Sequence, residues 1–129
     1  MPNNHEDLVC WQLADKLRQI IIAETADGKP AARDLRFTNN LRDAIGSACR
    51  NQAEGFYKFR HREMRPFFNT ARASLGEVKD GIREGGQRKY FAPEAVTVME
   101  TLCHRAMGAN LRFLQSLKRD DPDAGGERG

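Results

Sequence analysis

The sequence lacks long apolar runs and contains few cysteines. No apolar stretch approaches the roughly 20 residues that a membrane-spanning helix needs, and the polar N-terminus has no apolar signal core. We therefore expect a cytoplasmic protein that does not associate with membranes. The three cysteines are odd in number and show no Cys-x-x-Cys spacing. Because Cys10, Cys49 and Cys103 sit within apolar helical patterns, we expect buried free thiols in a reducing compartment rather than disulfides.

Residues that bind metals are also scarce, with only three histidines. Di-iron sites in four-helix bundles use Glu-x-x-His motifs, and the sequence contains none. Glu100 and His104 stand four residues apart, a spacing more typical of a surface contact than of a ligand set. Cys103 and His104 lie on different faces of one helix and do not close a tetrahedral site, and His5 is expected in a frayed terminus. We therefore expect no metal and no cofactor.

Sequence motifs of catalysis are missing as well. The chain has neither a nucleophile elbow nor a glycine-rich phosphate loop. Spacing alone does not decide whether a nucleophile and a base meet in the folded chain. On the motifs present, we predict that the protein is not an enzyme.

Apolar residues recur at helical spacing along nearly the whole chain, which predicts an all-α protein. In the first helix, the predicted buried face consists of Cys10, Ala14, Leu17 and Ile21, with Val9, Leu13 and Ile20 alongside. We expect one domain, an antiparallel up-down four-helix bundle over residues 1–119, followed by a disordered acidic tail over residues 120–129. Proline and glycine mark the ends of the helices. The expected boundaries are an end of the first helix near Ala26, a start of the second between residues 34 and 38, Pro66 in the first turn of the third, Gly85-Gly86 at its end, and a fourth helix from about Pro93 to Lys118.

Positive charge is concentrated in the middle of the chain. Residues 33–72 carry nine basic and four acidic groups, whereas the whole chain has a net charge of +3. Within this region, four cations alternate with Tyr57, Phe59 and His61. Cations contact phosphates and aromatic rings stack on unpaired bases, so the mixture favours single-stranded or looped RNA. The candidate nucleic-acid contacts are Lys58, Phe59, Arg60, Arg62 and Arg65, with Arg42 and Arg50 as extensions of the patch. The alternative is a solvated connection between helices, with aromatic rings that close the end of the bundle.

The sequence has more apolar residues on the first and fourth helices than a single core between four helices can bury. Trp11 lies beside the core stripe of the first helix, and four residues lie beside the stripe of the fourth. A second apolar face on a short bundle favours a contact between subunits. The predicted oligomer interface consists of Leu102, Met107, Leu111 and Leu114. The alternative is a monomer with wider core faces.

Three segments resemble one known family. They are Glu6–Ala14, with Trp11 at its centre, Ser47–Tyr57, with its Asn-x-Ala-Glu-Gly motif, and Ala73–Val78. In order and spacing they are similar to the four-helix-bundle proteins encoded in intervening sequences of bacterial 23S ribosomal RNA genes, which are related to the accessory protein of diversity-generating retroelements. The resemblance covers about residues 6–117. It implies a basic helical bundle that forms a closed pentamer with a central channel and associates with RNA or a reverse transcriptase.

The Asn-x-Ala-Glu-Gly motif falls near the end of the second helix. We expect Asn51 to bond the backbone across the bundle, Glu54 to pair with Arg42 or Arg50, and Gly55 to end the helix. The alternative is a binding pocket lined by Asn51 and Glu54. The chain departs from the family at Ala48-Cys49, where an apolar residue and proline are usual, and at Gln52, where isoleucine is usual.

Two functions are therefore consistent with the sequence. The first is a noncatalytic, oligomeric protein that binds RNA or serves a ribonucleoprotein as an accessory subunit. The second is an assembly module that recognises an acidic surface of a protein partner.

Overall fold

Four α-helices and two short 3-10 helices make up the computed structural model, which describes residues 2–120, with side chains up to Arg119. A 3-10 turn at His5–Asp7 precedes α1 (Val9–Glu24), and a second at Pro30–Arg33 precedes α2 (Leu35–Phe56); α3 (His61–Gln87) and α4 (Pro93–Asp120) follow. No strand occurs within residues 2–120. The prediction of an all-α chain with four helices is confirmed. Apart from the last helical residue of α4, the tail predicted at residues 120–129 lies outside the described residues.

None of the helices in the described part of the chain is long and apolar enough to span a membrane. Their apolar residues instead form stripes that face one another. The predicted core positions of α1, Cys10, Ala14, Leu17 and Ile21, are all buried. Cys49 and Cys103 are buried as well, and none of the three cysteines forms a disulfide. Burial raises the pKa of Cys10 to about 12, so this thiol stays protonated at neutral pH.

Two of the four helices, α2 and α4, begin at signals that the sequence carries. The Asp34 carboxylate accepts a hydrogen bond of 3.0 Å from the backbone N–H of Phe37, which caps the start of α2. Pro93 is the first residue of α4, where a missing N–H has no cost. Pro66, however, is the sixth residue of α3, which begins at His61. The prediction that it lies in the first turn was wrong, because α3 begins within the basic segment.

Gly85 and Gly86 do not end α3, which continues to Gln87. The end is formed by hydrogen bonds from Tyr90 N to Gly85 O (2.8 Å) and from Lys89 N to Gly86 O (3.1 Å). Lys89 has a φ of 62°, so a lysine holds the left-handed position that glycine usually takes in this motif. Gly85 has a different role, because a Cβ there would lie 2.3 Å from Cε2 of Phe91. Its missing side chain makes room for that ring.

The hydrogen bonds between successive helices pair residues in reverse order. Between α1 and α2, Thr25 contacts Arg42, and Cys10 contacts Gln52. Between α2 and α3, Asp34 contacts Tyr90, and Ser47 contacts Ser74. Between α3 and α4, Leu75 contacts Cys103, and Phe68 contacts Asn110. These pairs define two ends of the bundle. The end with the α2–α3 connection (residues 57–60) is called the turn end. The opposite end, with the α3–α4 connection (residues 88–92), is called the groove end after the surface groove described below.

Candidate nucleic-acid interface

The α2–α3 connection consists of four residues, Tyr57, Lys58, Phe59 and Arg60, all of them exposed. Phe59 is 93% exposed and Tyr57 60% exposed. The connection is shorter than predicted, because Arg62 and Arg65 belong to the first two turns of α3. The candidate contacts therefore lie partly on an irregular segment and partly on a helix.

Tyr57 is held against the N-terminal segment of the chain. Its hydroxyl accepts a hydrogen bond of 3.2 Å from the backbone N–H of His5 and lies 3.0 Å from His5 Nδ1. The His5 ring in turn packs edge-on against Trp11, with 4.9 Å between ring centroids. The expectation of a frayed terminus at His5 was wrong, since these contacts fix it to the turn end.

Lys58 and Arg60 are exposed cations with weak contacts at the turn end. Lys58 Nζ lies 4.9 Å from the centroid of the Phe67 ring, and Arg60 Nε lies 3.9 Å from a Glu63 carboxylate oxygen. Exposed contacts of both kinds contribute little to stability. Arg62 is exposed and Arg65 half-buried on α3. Phe59 and the cations Lys58, Arg60, Arg62 and Arg65 thus lie between residues 58 and 65 at one end of the bundle, and these five residues are called the turn patch below.

Arg42 is not part of the turn patch, whereas Arg50 is exposed and stays a candidate extension of it. Arg42 donates to Thr25 Oγ1 at 2.8 Å and to Ile22 O at 3.3 Å, so it ties α2 to the C-terminal end of α1. At 1.5 Å of rise per residue, its position lies about 20 Å along α2 from the last helical turn. The Arg50 guanidinium lies over Gly46, nearer the middle of the same helix.

The Asn-x-Ala-Glu-Gly motif is used within α2 and against α3. Asn51 Nδ2 donates to Ser47 O at 2.9 Å and to Ser47 Oγ at 3.1 Å. The expected bond across the bundle was therefore wrong, because its amide is engaged one turn back on the same helix. Glu54 is exposed, and within the described residues it forms no ion pair with Arg42 or Arg50.

Gly55 is buried within α2 rather than ending it. A Cβ there would lie 2.6 Å from the Phe67 Cβ and 2.9 Å from Phe68 Cε2. Glycine therefore lets α2 and α3 approach closely just before the turn end. The helix ends one residue later, at Phe56.

A pair of buried amides, whose contact was not predicted from the sequence, lies in the core next to the turn end. Asn110 Nδ2 donates to Gln52 Oε1 at 2.9 Å and to Phe68 O at 3.2 Å. Gln52 Nε2 donates to Cys10 O at 3.3 Å. Both amides are fully buried, and their bonds connect all four helices. The signal was the presence of one amide on the apolar stripe of α2 and another on that of α4.

The predicted oligomer interface separates into two groups. Leu102 and Leu114 are 5% and 7% exposed within a single chain. They belong to its own core, so the prediction that they exceed the core was wrong. Met107 is half-buried and packs on that core, and Leu111 is half-buried. Trp11 likewise packs against the core. Within the described residues, the large apolar side chains that are exposed are Val9, Ile22, Leu35, Tyr57, Phe59 and Val98.

The fold and its basic turn end define a small helical-bundle protein. The model of the 23S rRNA-intervening sequence protein family matches residues 6–109. This match covers most of the chain, and the chain belongs to that family, as the resemblance of its three segments predicted. No curated protein matches the sequence.

Proposed function

We propose that the protein is a noncatalytic, oligomeric RNA-binding protein or ribonucleoprotein accessory subunit, and that the turn patch is its RNA contact. The single observation that carries the proposal is Phe59, which is 93% exposed between the cations Lys58 and Arg60. The family description supports a role connected with RNA. The cytoplasmic location and the relation to retroelement accessory proteins, with a reverse transcriptase as partner, belong to the same proposal.

An aromatic ring that is almost wholly exposed contributes little to folding, because it buries almost no apolar surface. If the same ring stacked on an unpaired base, its apolar surface would become buried and would contribute to binding. The neighbouring cations lie where they could contact the phosphates on either side of the base. This arrangement supports single-stranded or looped RNA, since the bases of a duplex are already stacked on one another.

The test removes the four cations of the turn patch together, by replacing Lys58, Arg60, Arg62 and Arg65 with alanine. RNA affinity should fall across unrelated sequences, and the slope of log affinity against log salt should decrease by roughly 0.7 per lost phosphate contact. Filter binding or fluorescence anisotropy over a range of salt concentrations measures both. Phe59→Ala alone should weaken binding by about 1–3 kcal/mol.

The matched control removes the same charge elsewhere, with alanine at four exposed cations of the described chain: Lys16, Arg36, Arg72 and Arg105. This variant should keep most of the affinity, because steering by net charge is the weaker effect at physiological salt. Equal losses in the two folded variants, or no loss in the turn-patch variant, would overturn the assignment of the patch.

The same patch favours a second candidate, an assembly module that recognises an acidic surface of a protein partner. Its support is that exposed tyrosine, phenylalanine and arginine are also typical of protein interfaces. If RNA affinity is weak and does not change on the turn-patch substitutions, the result would favour this second function over RNA binding.

The oligomer is part of the proposal in either case. We infer antiparallel up-down bundles assembled into a ring, with five subunits as implied by the family resemblance. Of the predicted interface residues, Met107 and Leu111 remain as candidate contacts because they are only half-buried. Light scattering that finds a monomer at micromolar concentration would contradict the ring.

A further inference from the structure

An apolar groove of about 750 Å³ lies at the groove end, between the last turn of α3 and the first turns of α4. Phe91, Pro93 and Val96 are among its apolar walls, and Arg83, Lys89 and Glu100 stand among its polar lining residues. Sites for small molecules typically have this size and this combination of apolar walls with a few charged groups. The groove lies at the opposite end of the bundle from the turn patch.

The backbone at Lys89 supports a role for its side chain. Its φ of 62° places it in the left-handed region, where a Cβ is strained and glycine is favoured. The two hydrogen bonds that end α3 there use only backbone atoms. The turn therefore has no need of a lysine, and glycine would suit it better. What the lysine adds is a cationic side chain on a residue that lines the groove.

The cations of the groove are also not neutralised by ion pairs. Arg88, just outside it, lies 3.5 Å from an Asp34 carboxylate oxygen and 3.3 Å from one of Glu84. Within residues 2–119, by contrast, neither Arg83 nor Lys89 forms an ion pair. With Glu100 as the only acid of the lining, the groove has an excess of one positive charge.

We propose that this groove binds a small amphipathic anion, an aromatic or medium-chain aliphatic acid. Its apolar body would pack on Pro93 and Val96, and its carboxylate or sulfonate would contact Lys89 and Arg83. The apolar walls supply affinity through burial, and the excess positive charge selects the anion. The proposal does not rest on RNA binding, which concerns the other end of the molecule.

The test uses two fluorescent probes with the same aromatic body. The anionic probe is 8-anilinonaphthalene-1-sulfonate, and its uncharged counterpart is N-phenyl-1-naphthylamine. Lys89→Gly should weaken the anionic probe roughly tenfold, as expected for the loss of a charged contact, and leave the neutral probe nearly unchanged. The same variant should raise the melting temperature, because glycine relieves the left-handed backbone. Lys89→Arg keeps the charge and should retain binding of the anionic probe.

A pair of substitutions on α4 tests the apolar wall. Val96→Asp places a carboxylate in the groove and should weaken both probes. Val98→Asp, on the same helix but 49% exposed and outside the groove, should weaken neither. Alanine at the four cations of the turn patch should also leave both probes bound. The proposal is overturned by an anionic-probe affinity that does not change in Lys89→Gly, or that falls equally in Val96→Asp and Val98→Asp.

Discussion

The two ends of the bundle contain similar side chains in opposite arrangements. At the groove end, Phe91 is 3% exposed, and the Tyr90 hydroxyl donates a 2.7 Å hydrogen bond to Asp34. At the turn end, Phe59 is 93% exposed and Tyr57 60% exposed. Each end thus joins aromatic and basic residues in a short connection, yet one end buries its phenylalanine and the other presents it.

The glycine near each connection faces a different neighbour. Gly85 leaves the space that the Phe91 ring fills, which accounts for the burial of that ring. Gly55 instead has Phe67 and Phe68 of α3 against it, and Phe59 stays outside the core. The two connections have similar compositions, so composition alone does not decide which ring becomes available to a partner.

The largest expected effect is a difference in the free energy of unfolding between alanine variants of the two phenylalanines, Phe91 and Phe59. Phe91→Ala should cost about 3–5 kcal/mol in the free energy of unfolding, because it leaves a cavity under Gly85. Phe59→Ala should change it by less than about 0.5 kcal/mol, since an exposed ring has no buried contacts to lose. Urea unfolding of both variants at one pH measures the difference. Comparable losses in the two variants would mean that Phe59 packs against the bundle, and the comparison of the ends would then fail.

A smaller effect is expected at the amide pair behind the turn end. Gln52→Ile leaves the fully buried Asn110 without its side-chain partner, which should cost about 1–3 kcal/mol. Replacing both residues, with Asn110→Leu added, removes the unpaired donor and should recover much of that loss. Denaturant unfolding of the two single variants and the double variant forms a complete cycle.

Additive losses in that cycle would show that the amides do not act as a pair. Asn51→Ala is the control on the same helix, because its amide bonds only within α2. It should lose less than Gln52→Ile. RNA binding by the double variant should also persist, because neither amide is exposed at the turn patch.

Helix number and core faces follow from the sequence because each depends on local spacing. The four buried residues of α1 were predicted, although Val9 beside them is exposed, and Asp34 marked the start of α2. The pairing of Gln52 with Asn110 did not follow, since the two residues are 58 positions apart and only the packed bundle brings them together. The predictions for the glycines were wrong for the same reason, because they also depend on contacts between distant parts of the chain. Gly55 and Gly85 look like helix ends in sequence, but their function depends on rings from neighbouring segments.

The candidate site was predictable in its residues but not in its shape. Lys58, Phe59 and Arg60 follow from the alternation of aromatic and basic residues, whereas the exposure of Phe59 required the fold. Arg42 could not be separated from the patch by sequence, because its partners Thr25 and Ile22 lie on another helix. Charge near a motif therefore indicates a region, and contacts decide which of its members stay available.

The smallest expected effect concerns the charge of the Asp34 carboxylate at the groove end. The prediction tests whether this charge contributes to the stability of the fold. The backbone N–H of Phe37, and after it the Tyr90 hydroxyl, lower the pKa of Asp34 below its ordinary value. Because the folded-state pKa is the lower one, the ionised carboxylate stabilises the fold above the unfolded-state pKa near 3.8. That contribution is lost as pH falls through the folded-state value.

Asp34→Asn keeps a capping oxygen but carries no charge. Thermal unfolding should therefore show the variant less stable than the original chain at pH 7, with the difference shrinking as the pH falls below the unfolded-state pKa near 3.8. Asp43→Asn, on an exposed part of the same helix, controls for the loss of one negative charge. A difference between Asp34→Asn and the original chain that is constant across this pH range would show that the contacts of Asp34 act through shape and not through its charge.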